Sequence, residues 1–289
     1  MDLDYLRAHP ETIPRLVEHQ RIRITPLGGA KGGRVERWTL DDGTSLFAKV
    51  TEEPNAALPA EGRSLRHLAE PGVARVPEVL TAIPEMLVTA WVDRTAPTEA
   101  GAEEFGRQLA ALHASGEPTF GAETDGVLAT LPLPNTPGPD WPTFYVEQRC
   151  EPLLRRARDA GALTAEQAST IESALARVAA AAGPAEPPAR LHGDLWSGNV
   201  LPGRIGTVDG WWLIDPASYG GHRETDLAML ALFGLPFLET VLAAYDEVSP
   251  LATGWHERVG LHQLFPLLVH CVLFGAGYTA RTVAAAESF

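Results

Sequence analysis

Cysteine is nearly absent from this 289-residue chain: there are two, Cys150 and Cys271, with no Cys-x-x-Cys spacing. That excludes a disulfide framework and a cysteine-built zinc site. Basic residues are also scarce, 23 Lys and Arg against 37 Asp and Glu, for a formal net charge of −14. Such a surface repels phosphate backbones, so nucleic acid is excluded as a partner. Long apolar runs are missing. The longest, Leu264 to Tyr278, is interrupted by Pro266, His270 and two glycines. It reads as too short for a membrane span, which takes about 20 residues. The opening Met1-Asp2-Leu3-Asp4 is acidic, unlike a secretory leader. By elimination a cytoplasmic protein with no membrane partner is expected. There is no internal repeat and no long low-complexity segment.

What is present is 45% apolar residues, enough to fill the cores of two modest domains. The pattern reads as α+β. Residues 1 to about 20 have helical periodicity, with Leu3, Leu6, Ile13 and Leu16 apolar. A strand, the glycine-rich turn Leu27-Gly28-Gly29-Ala30-Lys31-Gly32-Gly33, and the alternating strand Val35 to Leu40 follow. Asp41-Asp42-Gly43 is a hairpin turn signal, and Ser45 to Val50 is the returning strand, carrying Lys49. A helix is expected around Leu58 to Glu70, ended by Pro71-Gly72. Two more strands are expected at Val76 to Leu80 and Glu85 to Val92. The polar stretch Thr95 to Glu99 reads as the crossing to a second domain, which divides the chain into 1–92 and 93–289. Beyond it the periodicity is mainly helical. Phe105, Leu109 and Leu112 mark one face, and Thr164-Ala165-Glu166-Gln167 forms a capping box for a helix reaching about Ala181.

The chemistry concentrates in Leu191-His192-Gly193-Asp194-Leu195-Trp196-Ser197-Gly198-Asn199-Val200 and, sixteen residues after Asn199, in Leu213-Ile214-Asp215-Pro216. An Asp, an Asn five residues on and a second Asp after an apolar run match the layout of phosphoryl transfer. Asp194 would accept the proton of an attacking hydroxyl. Asn199 and Asp215 offer the oxygen ligands that Mg²⁺ takes alongside phosphates. Plain turn chemistry accounts for the composition of the stretch, but not for its spacing together with the second acid. His192 reads as a packed imidazole supporting the loop. Trp196 is either core or the wall of a substrate pocket. Lys49 and Glu61 read as a pair, a strand lysine on phosphates held by a helix glutamate. Gly28, Gly29 and Gly32 allow backbone N–H groups near phosphates, although the turn matches neither Gly-x-Gly-x-x-Gly nor a Walker loop. Asp226 is favourable at a helix start and is read as a buttress of the catalytic loop. Glu224 is either a further site carboxylate or a first-turn residue. His256, His262 and His270 form no convincing ligand set.

Together these residues resemble the fructosamine (ketosamine) kinase family, within the aminoglycoside-phosphotransferase and protein-kinase-like superfamily. His192 to Asn199, with its tryptophan, is similar to the family's catalytic signature, and Leu213 to Ala217 to its metal-binding segment. Trp141 to Arg149, Arg223 to Met229, Leu232-Phe233-Gly234 and Arg258 to Tyr278 follow in the family's order. The resemblance implies a protein-kinase-like bilobal fold, with a small N-terminal β-sheet lobe and a larger, mainly helical C-terminal lobe. It implies ATP and Mg²⁺ between them and a hinge around Thr89 to Trp91. The implied activity is phosphorylation of a sugar hydroxyl on a ketosamine, free or protein-bound, by a monomer or weak dimer. In the family this repairs glycated amines. The chain departs from the family at Gly29-Ala30-Lys31, where some members carry a cysteine, and at His222, where an Asp is common. Two other readings remain at this stage: a phosphotransferase of the aminoglycoside or choline type, and a nucleotide-binding pseudokinase.

Overall fold

Alternation along Ser45–Thr51 (β3) determines which way Lys49 points. Leu46, Ala48 and Val50 are buried on one face, so Phe47 and Lys49 project from the other. The computed structural model describes residues 2–18, 22–30 and 33–289. In it β3 is the centre of a five-stranded antiparallel sheet with Arg23–Ala30 (β1), Gly33–Thr39 (β2), Val79–Ile83 (β4) and Met86–Ala90 (β5), in the order β1-β2-β3-β5-β4. The β1–β2 register shifts between Pro26 and Gly28. One face buries Trp38, Leu46, Ala48, Val50 and Val88 with Leu6 and Ile13 from the N-terminal helices. The opposite face receives the helix Ala57–Ala69, whose Leu58 and Leu65 pack on Leu87. Full burial of such a leucine stabilises by roughly 1.5–3 kcal/mol. Lys49 is in register with Leu87 and so lies on the same face as this helix. The approach is close: a Cβ on Gly62 would lie 2.2 Å from the Cβ of Ala82.

The expected N-terminal helix is interrupted. Leu3–Ala8 (α1) and Ile13–Glu18 (α2) are separated by a single 3-10 turn at Pro10–Thr12, because a residue before proline is pushed out of helical geometry. The helix Ala57–Ala69 is therefore α3. Thr98 caps Glu99–Ala114 (α4) with its side chain. The expected 164–181 helix is two pieces, Ala165–Leu175 with its capping box intact and Val178–Ala181.

Further helices are Trp141–Phe144, Glu151–Asp159, Glu224–Phe233, Leu238–Val248, Val259–Phe274 and Thr279–Glu287, with a π-helical segment at Tyr145–Cys150. They enclose two cores, one on Phe105, Leu109, Trp211 and Leu230, the other on Ile171, Leu191, Leu264 and Leu268. One expectation needs correcting here. With its short turns, Trp255–Glu287 runs 33 residues and is apolar and long enough, by length and composition, to cross a membrane. Pro266 does not end it, because that residue stays inside the helix Val259–Phe274. Half of its most apolar window is buried in the protein, where Leu264, Leu268 and Ala286 are core residues.

Candidate active site

The fifteen residues between Asn199 and Asp215 hold a β-hairpin. Val200–Ile205 pairs with Val208–Leu213, and Val200 stands opposite Leu213. The hairpin therefore returns the chain to its start, and the Ile214 N–H donates to the Asn199 carbonyl at 3.0 Å. A second pair, Ala189–Leu191 with Tyr219–Gly221, brackets the whole segment. Two antiparallel pairings thus bring Asp194, Asn199 and Asp215 to one place.

Gly193 makes the tight turn before Asp194. Its φ is +82°, and a Cβ there would lie 2.1 Å from the Ala217 carbonyl oxygen, so no other residue fits. Asp226 takes up the loop's N–H groups. Its carboxylate accepts from His192 N at 2.7 Å and Gly193 N at 3.1 Å. The buried His113 lies 3.2 Å away. His192 is buried, which lowers its pKa against the pull of Asp226. Its Nδ1 accepts from Asp194 N, so Nε2–H donates to the Ile214 carbonyl. His192 and Asp226 thus both hydrogen-bond the backbone of this loop.

Burial pushes the Asp194 carboxyl up to about 7, aided by the charges of Asp215 and Asp226 and opposed by the Asn199 amide. Asn199 Nδ2 donates to Asp194 Oδ2 at 3.0 Å and to the Asp194 carbonyl at 2.9 Å. That orientation leaves the amide oxygen for a ligand. Asp215 sits at φ +52°, a left-handed conformation that costs a non-glycine residue of order 1–3 kcal/mol. Lys49 Nζ lies 2.8 Å from Asp215 Oδ1 and 2.8 Å from both oxygens of Glu61. Burial disfavours the ammonium, but the two carboxylates outweigh it and raise Lys49. Burial also acts against Asp215, which Lys49 nonetheless holds below its ordinary value. The second carboxylate finds no second cation, and burial pushes Glu61 up to about 8.

Two adjoining cavities open from this cluster. One, about 380 Å³, is lined by Leu27, Phe47, Leu65, Thr89, Ala90, Trp91 and Val92 as well as Glu61 and Asp215. It is the apolar slot of the site. Thr89 is buried at its back, and the Trp91 indole donates to Asp93 at 2.8 Å beneath the Arg37 guanidinium. The other, about 670 Å³, holds Lys49, Asp194, Trp196, Asn199 and Asp215. The carboxylate and amide oxygens there form an all-oxygen donor set suited to a hard divalent cation.

Trp196 stands on the wall of the larger cavity, 39% exposed, and is no core residue. Gly28 and Gly29 lie within β1 and line neither cavity, whereas Leu27 and Gly33 do. Lys31 and Gly32 fall outside the described residues. Glu224 is a correction. Its carboxylate is buried and bonded to Arg258 at 2.5 and 2.9 Å, and it lines neither cavity. Burial acts against its charge, but the neighbouring His262 and the Arg258 guanidinium hold it at about 2. His222 and His262 complete this buried group within 4.8 Å, but Arg258 already supplies the cation.

The sequence reading missed two contributors. Phe274, 64% exposed, lines the larger cavity. With Phe233, His270 and Tyr278 it extends the aromatic wall beside Trp196. The turn at Leu128-Ala129-Thr130 also reaches the cavity. Only the Leu273-Phe274-Gly275 segment carried any signal.

Comparison with known proteins places this geometry among relatives. A sequence profile described as fructosamine kinase matches residues 11–288. A candidate ketoamine kinase of Thermus thermophilus is 36% identical over 253 residues, covering 88% of each chain. The chloroplast protein-ribulosamine 3-kinase of Arabidopsis thaliana is 30% identical, covering 95% of this chain and 85% of its own. The crystal structure of a candidate fructosamine-3-kinase from Thermobifida fusca superposes with a TM-score of 0.89 at 47% identity, covering 95% of this chain and 96% of the other.

Proposed function

The chain belongs to the fructosamine kinase family, and from that premise we propose a mechanism for this ketosamine kinase in terms of its own residues. The fold is the two-lobed protein-kinase-like one, and ATP is the co-substrate. Residues 1–92 form the nucleotide-binding lobe and 93–289 the catalytic and substrate-binding lobe. The adenine ring occupies the apolar slot against the Thr89 to Trp91 hinge. Lys49 reaches the phosphates and Glu61 aims it. Asn199 and Asp215 would hold Mg²⁺, which when bound offsets charge on the transferring phosphoryl group.

The observation that carries the mechanism is Asp194. Its carboxyl opens into the same cavity as Lys49 and Asp215, and burial pushes it up to about 7. A proton acceptor works best with a pKa near the working pH. Asp194 takes the proton of the ketosamine sugar hydroxyl as that oxygen attacks the γ-phosphorus and the β–γ bridging bond breaks. Trp196 and Phe274 wall the acceptor side and carry the sugar and its amine substituent. Phosphorylation of the adduct initiates deglycation of the amine. A panel of fructosamine and ribulosamine derivatives of lysine, a glycated peptide, an aminoglycoside and choline tests this, with ADP release as readout and mass spectrometry locating the phosphate. Turnover on a ketosamine, with phosphate on the sugar, is expected. Turnover only on the aminoglycoside or choline overturns the acceptor assignment.

A further inference from the structure

Helix α3 carries Glu61, yet it meets the sheet through apolar side chains such as Leu58 and Leu65, which resist sliding poorly because their contacts are non-directional. Apart from the Glu61–Lys49 pair, its side-chain hydrogen bonds among the described residues go to the C-terminal part of the chain. Ser64 Oγ accepts from Ser218 N at 3.2 Å, and His67 Nδ1 lies 2.7 Å from Ser218 Oγ. His67 Nε2 lies 2.8 Å from Glu117 Oε1. Arg190 donates to the His67 carbonyl at 2.9 Å and to Glu117 at 2.5 Å. With Nε2–H facing the carboxylate, Nδ1 accepts from the Ser218 hydroxyl.

These partners are parts of the catalytic frame. Ser218 lies three residues after Asp215, and Arg190 four before Asp194. Arg190 is in the strand Ala189–Leu191, paired with Tyr219–Gly221, directly after Ser218. The Glu117 side chain is largely withdrawn from solvent. Burial raises its pKa, but His67 and Arg190 lower it further, so it stays a carboxylate able to hold both.

We propose that His67 is a positioning residue: held between Glu117 and Ser218, it fixes α3, and with it Glu61, against the strand pair that carries Asp194 and Asp215. The helix that aims Lys49 thus takes its register from the C-terminal lobe. The inference rests on the roles given above to Glu61, Asp194 and Asp215.

The test uses the full chain with ATP, Mg²⁺ and a ribulosamine. His67→Ala is expected to raise KM for ATP about tenfold, the loss of a hydrogen bond to a partly buried polar group, and to leave KM for the ribulosamine within about twofold. His67→Asn keeps a polar atom near the Nδ1 position and is expected to recover most of the loss. His67→Gln reaches only Glu117 and is not. Ser218→Ala is expected to repeat the His67→Ala shift, and it serves if His67→Ala does not fold. Unchanged KM for ATP in either variant overturns the proposal. So does a parallel rise in both KM values that tracks a lower melting temperature, or Asn recovering no more than Gln. Asp215→Asn, run alongside, separates the failures: if it retains turnover, the site assignment falls, and the proposal with it.

Discussion

Lys49 and Asp215, 166 positions apart, meet at 2.8 Å across the cleft. The ammonium comes from the N-terminal sheet, and the carboxylate from the end of the hairpin in the C-terminal lobe. Glu61 makes the third corner, so one cation joins a strand, a helix and a loop, and its removal is felt in all three.

Lys49→Met is therefore expected to lower kcat/KM for ATP by roughly 10²–10³-fold, the scale of losing one preorganised charge donor in a site. It leaves Glu61 and Asp215 facing each other without a cation. Steady-state kinetics with varied ATP checks this, and a loss below about tenfold would remove Lys49 from the phosphate site.

The Asp194 carboxyl at about 7 makes a paired prediction. A base acts when deprotonated, so kcat/KM is expected to rise with pH through an acid limb near 7. Asp194→Asn is expected to lose roughly 10²–10⁴-fold in turnover. Stability runs the other way. The folded pKa lies above the ordinary value of 3.8, so the folded form binds the proton more tightly than the unfolded one, and stability is lost as pH rises through 7. Asp194→Asn should therefore melt higher than the wild type above pH 7, by about 2–4 °C for each kcal/mol recovered. Equal melting temperatures at pH 8 contradict the buried charge.

Glu224 is expected to matter for folding and not for substrate. Breaking a buried ion pair by removing one partner costs about 3–5 kcal/mol, so Glu224→Gln should lower the melting temperature strongly. Its effect on KM for the ketosamine should stay within about twofold. Its carboxyl, held at about 2 against an ordinary 4.5, contributes stability above pH 4.5 that is lost as pH falls towards 2. Thermal melts of wild type and variant should therefore converge in acid, and a constant gap down to pH 2 is the contrary result.

Gly198 lies under the Trp196 ring, and a Cβ there would sit 2.3 Å from it. Gly198→Ala must displace the indole. If Trp196 walls the acceptor pocket, KM for the ribulosamine is expected to rise about tenfold, one lost aromatic contact plus misplacement, with KM for ATP little changed. An unchanged ribulosamine KM would leave Trp196 without a substrate role.

Much of the fold was legible because its signals are short-range. The Asp41-Asp42-Gly43 turn signal located β3 as the returning strand that carries Lys49, and Thr164 with Gln167 announced a capping box that is present. The failures have physical causes. Pro10 split the first helix, which apolar spacing alone could not register. Glu224 is polar and starts a helix, so nothing nearby reveals that Arg258, thirty-four residues on, takes its carboxylate. Phe274 lies in an apolar run whose spacing does not say which member leaves the core; it ends the helix Val259–Phe274 and lines the cavity.

The sequence by itself determined the local chemistry: Asp194 and Asn199 on one loop, Gly193 at its turn, and a strand lysine with a helix glutamate twelve residues on. Those relations depend on backbone geometry over a few residues, which composition and period encode. Only the tertiary structure decided that Lys49 meets Asp215, that the aromatic wall stands beside Trp196, and that His67 bonds Ser218. Such contacts depend on which faces pack and in what register, and that is settled by burial summed over the whole chain.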